Sequence, residues 1–172
     1  MEFENQQIFS QDLPDFTESI PEKLEKSYFW VMIISRLSFA LATISALLIS
    51  VYFIDFRNKI IIVFSVTGLL LLLFAIYLIS TKKAFVRKSY SIRQNDLIYR
   101  SGFFFSRITI IPYNRIQHVE LTINPLEKFF HICSLKVFTA GGSQSDIVIP
   151  GMNLDKANKI KSFVISKTNL DE

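Results

Sequence analysis

The sequence predicts a two-helix membrane hairpin followed by a small, basic, mainly β domain that ends in an amphipathic helix. Three observations carry this. Charged residues almost vanish between Leu37 and Thr81. From Ala84 to Gly151, β-branched and aromatic residues alternate with polar ones between turn signals. After Asn153, apolar residues recur at three and four, the spacing of one helix face. Charge divides the same way. Met1–Ser27 holds seven acidic residues and two lysines, whereas Lys82–Glu172 holds 14 basic and 7 acidic residues, so the net +4 hides an acidic arm and a basic domain.

The arm, residues 1–27, carries Pro14, Pro21 and scattered Phe3, Phe9 and Phe16, and reads as a disordered tail or one lying along a partner. An autoinhibitory contact with the basic domain is consistent with its charge. It lacks the positive n-region of a secretory leader. The hairpin occupies residues 28–81. Leu37–Ile54 gives 18 residues without charge and Ile60–Thr81 gives 22. As helices these span roughly 27 and 33 Å, enough to cross a bilayer core. Asp55–Lys59 between them is short enough only to turn the chain back. Lys23, Lys26, Lys82, Lys83, Arg87 and Lys88 flank one side and only Arg57 and Lys59 the other. The lysine and arginine bias therefore places both termini in the cytoplasm of a multi-pass plasma-membrane protein. Arg36 reads as a boundary residue that snorkels, with Tyr28-Phe29-Trp30 at the headgroup layer, since neither helix offers it an acid.

Residues 82–172 form the soluble domain. Ser89–Ile92, Leu97–Arg100, Phe103–Ile111, the run Ile116, His118 or Val119, Leu121 and Ile123, then Leu135–Thr139 and Asp146–Ile149 are the expected strands. Gln94-Asn95-Asp96, Ser101-Gly102, Pro112, Gly141-Gly142 and Pro150-Gly151 close them. A short helical turn is expected over Pro125–Phe130, burying Leu126, Phe129 and Phe130. Leu154, Ala157, Ile160, Lys161, Val164 and Ile165 mark the last helix, with Asn153 or Asp155 as its cap. The simplest fold is a curved antiparallel sheet or small barrel plugged by that helix.

Several segments then carry a resemblance. After two apolar helices come Leu97-Ile98-Tyr99-Arg100-Ser101-Gly102-Phe103-Phe104, Ile111-Pro112-Tyr113-Asn114-Arg115-Ile116-Gln117-His118-Val119, Asn124–Lys128, Leu135-Lys136-Val137 and Thr139-Ala140-Gly141-Gly142. In combination they resemble the bacterial pleckstrin-homology-like (PH-like) family of the YdbS type, over Phe29 to about Val164. The resemblance implies a membrane α-helical hairpin followed by a mainly β pleckstrin-homology-like split barrel with a C-terminal α-helix. It also implies a second membrane protein with related domains as partner.

No catalytic set is recognisable. His118 and His131 lie in different elements, and the lone Cys133, which excludes an intrachain disulfide and fits a reducing compartment, reads as a buried small hydrophobe. Neither a metal nor another cofactor is expected. Arg115 has two readings: a guanidinium offered to a phosphate or partner carboxylate, or one bonding turn carbonyls or Glu120. Gly141-Gly142 is either a phosphate cradle or a hairpin turn, and its place between strands favours the turn. Lys82, Lys83, Arg87 and Lys88 set topology and meet anionic headgroups non-specifically. The acidic Gln94-Asn95-Asp96 turn argues against phosphoinositide recognition, and the membrane anchor against nucleic acid. The expected function is therefore non-enzymatic: an anchored interaction module that binds a partner protein or self-associates. The alternative is a sensor of anionic lipid or envelope stress.

Overall fold

The computed structural model describes residues 20–53, 59–103, 105–140 and 147–168. In chain order these form β1 (Glu22–Lys23), α1 (Lys26–Phe53), α2 (Lys59–Arg87), β2 (Ser89–Ile92), β3 (Asp96–Ser101) and β4 (Arg107–Pro112). A 3-10 turn (Tyr113–Arg115) leads to β5 (Ile116–Thr122), α3 (Pro125–Phe129), β6 (Ile132–Thr139), β7 (Ile147–Asn153) and α4 (Leu154–Thr168).

Long apolar runs rich in Leu, Ile, Ala and Phe and free of proline make α1 and α2 continuous. The two lie antiparallel. Phe29 meets Phe85 with ring centroids 5.6 Å apart, and the Arg36 guanidinium rests 4.0 Å over the Tyr77 ring. Several of their hydroxyls are satisfied within the helix. Ser38 donates to the Ser35 carbonyl at 2.9 Å, Thr43 to the Ala40 carbonyl at 2.8 Å and Thr81 to the Tyr77 carbonyl at 3.0 Å. Self-satisfaction of this kind is what an environment without water demands. Lys26–Leu47 and Val63–Arg87 are each long and apolar enough to cross a membrane. Phe39, Leu41, Phe64, Leu72 and Ile79 stay exposed, so these are not core helices of a soluble domain.

The helices continue past the charge-free runs into the β domain. Val31 and Thr81 are buried, and Tyr28 and Phe85 pack against the core. The soluble domain has two antiparallel sheets, ordered β1-β2-β3-β4 and β5-β6-β7. Among the described residues they do not close into a barrel. Leu97, Leu135, Val137, Ile149 and Met152 fill the space between them, and α4 covers the second sheet with Ala157, Ile160 and Val164. Asn153 is the cap: its Oδ1 accepts the Asp155 amide at 2.9 Å. Arg93 clamps the β2–β3 turn onto the Asp96 carboxylate. Tyr113 reaches the same turn, donating to the Arg93 carbonyl at 2.8 Å, and burial pushes its hydroxyl up to about 12.

Several expectations are corrected. The stretch read as tail contributes β1, which pairs Glu22 with Tyr90 and Lys23 with Ser89, and buries Leu24. The third run starts at Arg107, because Gly102, at φ +105, turns the chain and leaves Phe103 and Phe105 in a loop. Within β5, Val119 points inward while His118 is exposed and stacks on Phe138, and Ile123 is exposed. On α3 the apolar Phe129 is 75% exposed and the buried residue is Glu127. β6 begins at Ile132, and β7 runs through Pro150-Gly151 rather than ending there. Leu154 and Ile165 are exposed, so the buried stripe of α4 is narrower than its apolar spacing.

Gly151 joins the two halves. Its carbonyl accepts the Glu25 amide at 2.8 Å, just ahead of α1. It sits at φ +64, and a Cβ there would lie 2.4 Å from the Tyr28 Cβ. The left-handed conformation costs a non-glycine residue about 1–2 kcal/mol before any clash. Gly151→Ala is therefore expected to lower the unfolding midpoint of the full-length protein in detergent by several degrees. Adding Tyr28→Ala should relieve only the part of the clash made by the ring, because alanine keeps the Cβ, and none of the backbone part. A midpoint unchanged by Gly151→Ala would contradict this account.

Candidate functional site

A cleft of about 550 Å³ opens where the hairpin meets the β domain, lined by Tyr28, Arg36 and Tyr77 from the helices and by Lys88, Glu127 and Ser134 below them. Arg36 donates to the Tyr77 carbonyl at 3.2 Å and stacks on the Tyr77 ring. Lys88 lies 5.2 Å from the Tyr28 ring centroid. Burial, and secondly the Arg36 charge, hold the Lys88 ammonium below the usual lysine range. The opposite wall is acidic. Glu127 is 2% exposed, and its carboxylate accepts the Ser134 hydroxyl at 2.6 Å and the Asn124 amide at 2.9 Å. Asn124 and Glu127 form a capping box, which is why Pro125 can open a helix only five residues long.

The structure divides the four basic residues beneath α2. Lys82 is exposed. Lys83 and Arg87 turn toward the β3–β4 loop: Arg87 donates to the Phe103 carbonyl at 2.6 Å, and both cations approach its ring. Lys88 alone enters the cleft. Arg115 is exposed on the 3-10 turn; its carbonyl accepts the Ala140 amide at 3.1 Å, and its guanidinium has no partner among the described residues. Gly141 and Gly142 lie outside the described residues, so neither reading of that turn is resolved. His118 and His131 lie in different elements. Cys133 is fully buried, donates to the Met152 carbonyl at 3.6 Å, and burial raises its thiol pKa.

Sequence reasoning missed two features. One is the convergence of Arg36 and Lys88, which only the antiparallel hairpin brings together. The other is the outer face of β4. Ile108 and Ile110, two apart and hence on one face, are 45% and 41% exposed, and Phe105 in the preceding loop is 90% exposed. Among the described residues β4 pairs only with β3, which leaves its other edge open there. The cluster of apolar residues over 103–111 was the available signal, but a buried strand gives the same one.

A family model described as bacterial PH domain matches residues 34–168. The UPF0699 transmembrane protein YdbS of Bacillus subtilis (strain 168) is 27% identical over 75 residues, which is 44% of this chain and 45% of that protein. The match thus spans less than half of that relative. No solved structure gives a significant match.

Removing the buried carboxylate should be costly. Glu127→Ala leaves the Ser134 hydroxyl and Asn124 amide unpaired and is expected to cost about 1–3 kcal/mol. Glu127→Gln, which keeps one acceptor, should cost less in denaturant titration of the full-length protein. Equal losses would mean that space filling alone matters there.

The edge strand β1 should depend on pH. Glu22 pairs with Lys156 of α4 and accepts the Tyr90 hydroxyl at 3.1 Å. The Lys156 hydrogen bond, against burial, holds the Glu22 carboxyl below the usual range, and Glu22 raises Lys156. A depressed carboxyl stabilises above its unfolded pKa and is lost as pH falls through its folded one. A raised lysine stabilises below its unfolded pKa and is lost as pH rises through its folded one. Both side chains are more than a third exposed, so the pair contributes only about 0–1 kcal/mol. Amide protection in β1, corrected for intrinsic exchange, should fall in acid. Glu22→Gln should show the lower protection at neutral pH too.

Proposed function

We propose that this chain, which belongs to the bacterial PH domain family, is a non-enzymatic module that assembles a protein complex at the membrane. It is a membrane protein carrying a bacterial PH domain. The hairpin crosses the plasma membrane twice, with both termini and the β domain in the cytoplasm, as the lysine and arginine bias supports.

The outer face of β4 carries this reading. An open strand edge offers a row of backbone donors and acceptors, and proteins that leave one exposed usually blunt it with charge or proline. β4 has Arg107 and Pro112 at its ends but Ile108 and Ile110 at its centre, beside Phe105. That pattern suits an extended partner segment adding to the sheet, its main chain giving affinity and its side chains meeting the isoleucines. The occupant is a second membrane protein with related PH-like domains. A non-catalytic role is supported by the buried, alkaline-shifted Cys133 and by histidines in separate elements. A second reading, a sensor of anionic lipid, is favoured by the two cations of the cleft.

The test is affinity purification from native membranes after mild crosslinking. The full-length protein should recover a stoichiometric membrane partner, and Ile108→Lys with Ile110→Lys should reduce that recovery about tenfold or more while the domain stays folded. Arg115→Ala, which removes an exposed group, should keep the fold and weaken capture. Undiminished capture by the double lysine variant, or recovery of lipid alone, would sink the proposal.

A further inference from the structure

We propose that the cleft at the base of the hairpin binds one anionic phosphodiester, supplied in place by the headgroup of a bilayer phospholipid. The two cations that line it are placed as a ligand site would place them. Neither Arg36 nor Lys88 has a carboxylate partner among the described residues, whereas Arg93 and Lys156 are paired with Asp96 and Glu22. Arg36 spends one donor on the Tyr77 carbonyl, and its guanidinium carbon stands 4.0 Å over the Tyr77 ring, which fixes it without neutralising it. Lys88 shares the same cleft from the domain side. Like charges gathered in a partly buried space repel each other and lose hydration, and an anion between them relieves both costs.

Charge and depth narrow the ligand. The carboxylate in the cleft wall is Glu127, and both its oxygens accept hydrogen bonds from Ser134 and Asn124. With that carboxylate ionised, the three groups carry a net single positive charge, which a phosphodiester matches. A zwitterionic lipid brings its own ammonium and gains less. Arg36 also stands where the helices leave the domain. Val31 and Thr81 on the near side are buried, whereas Leu37, Phe39, Leu41, Leu73 and Ile76 on the far side are exposed and apolar. The cleft therefore opens at the depth where apolar surface begins, which is where phospholipid phosphates lie. This site is separate from β4, which occupies the opposite edge of the sheet from β1, so it does not depend on the partner reading.

Native mass spectrometry of the full-length protein in neutral detergent tests this. Phosphatidylglycerol and phosphatidylcholine are titrated separately, and glycerophosphoglycerol, the same diester without acyl chains, is titrated alone. One phosphatidylglycerol should be retained at least about tenfold more tightly than phosphatidylcholine. Arg36→Gln and Lys88→Gln should each weaken it about tenfold, as expected for a lost charge-assisted contact. The exposed pair Lys82→Gln with Lys83→Gln should leave it unchanged. Lys88→Arg should retain the lipid, so that if Arg36→Gln does not fold, the two Lys88 variants still decide. Equal retention of the two lipids would overturn the site. So would equal loss from the Lys82 and Lys83 changes, which would indicate diffuse attraction. Binding of glycerophosphoglycerol as tightly as phosphatidylglycerol would overturn the bilayer source.

Discussion

The seating of Tyr28 on Gly151 is the contact on which the rest of the molecule depends. A hairpin joined to a domain only by its two chain ends would be a tether. Here the base of α1 is held by the Glu25–Gly151 backbone hydrogen bond at 2.8 Å and by an aromatic ring laid where a side chain would otherwise stand. The base of α2 is buried at Thr81 and packs through Phe85. Because β7 runs straight through Gly151 into α4, the same residue ties the hairpin, the second sheet and the covering helix together. The conformational freedom of glycine and the absence of a Cβ are both used at this one position.

The first sheet completes the attachment. β1 leads almost directly into α1, and α2 leads into β2 after Lys88, so two antiparallel helices continue below as two antiparallel strands. A rotation of one helix against the other would shear the β1–β2 register, which is fixed by backbone pairing and by the Glu22 contacts to Lys156 and Tyr90. The hydrogen bonds needed to resist that shear are few, because β1 is only two residues long. The ion pair and the burial of Leu24 therefore hold what the backbone alone would not.

Much of the fold was legible in the sequence, for reasons that also explain the rest. The helices could be read because a charge-free stretch of that length has few other uses. Some strands were visible because their two faces meet different surroundings, as in β5, and β3 because its run of apolar residues is buried on both faces. β7 was misjudged at Pro150-Gly151 because those residues usually break strands. Here the exception is made by Tyr28, from the other side of the hairpin in sequence. β1 was invisible because a two-residue strand in an acidic segment has no pattern of its own; its partner Tyr90 supplies the ordering. The burial of Glu127 could not be seen either, since a carboxylate on a short helix normally faces water. Its hydrogen bond to Ser134 was set by tertiary structure, although the Asn124–Glu127 spacing of a capping box was present in the sequence. Of the basic residues proposed for headgroups, only Lys88 lines the cleft, and its companion there is Arg36, which the sequence alone presents as a boundary charge.

The order of the first sheet gives the arrangement a consequence. β1 and β2, at one edge, are joined to the helices, and β4, at the other, is apolar and has no further strand beside it among the described residues. Between them the strands pair antiparallel in unbroken register, from Glu22–Tyr90 through Tyr90–Tyr99 to Tyr99–Thr109. A sheet paired in this way moves nearly as a body, so the orientation of the hairpin fixes the orientation of the β4 edge relative to the membrane. The second sheet is not in that chain; it supports the first through the shared core and through Gly151. A surface proposed to meet a membrane partner has to be presented at a set height and angle above the bilayer. Here these are set by Tyr28, Gly151 and the β1–β2 pairing rather than by the residues that would touch the partner.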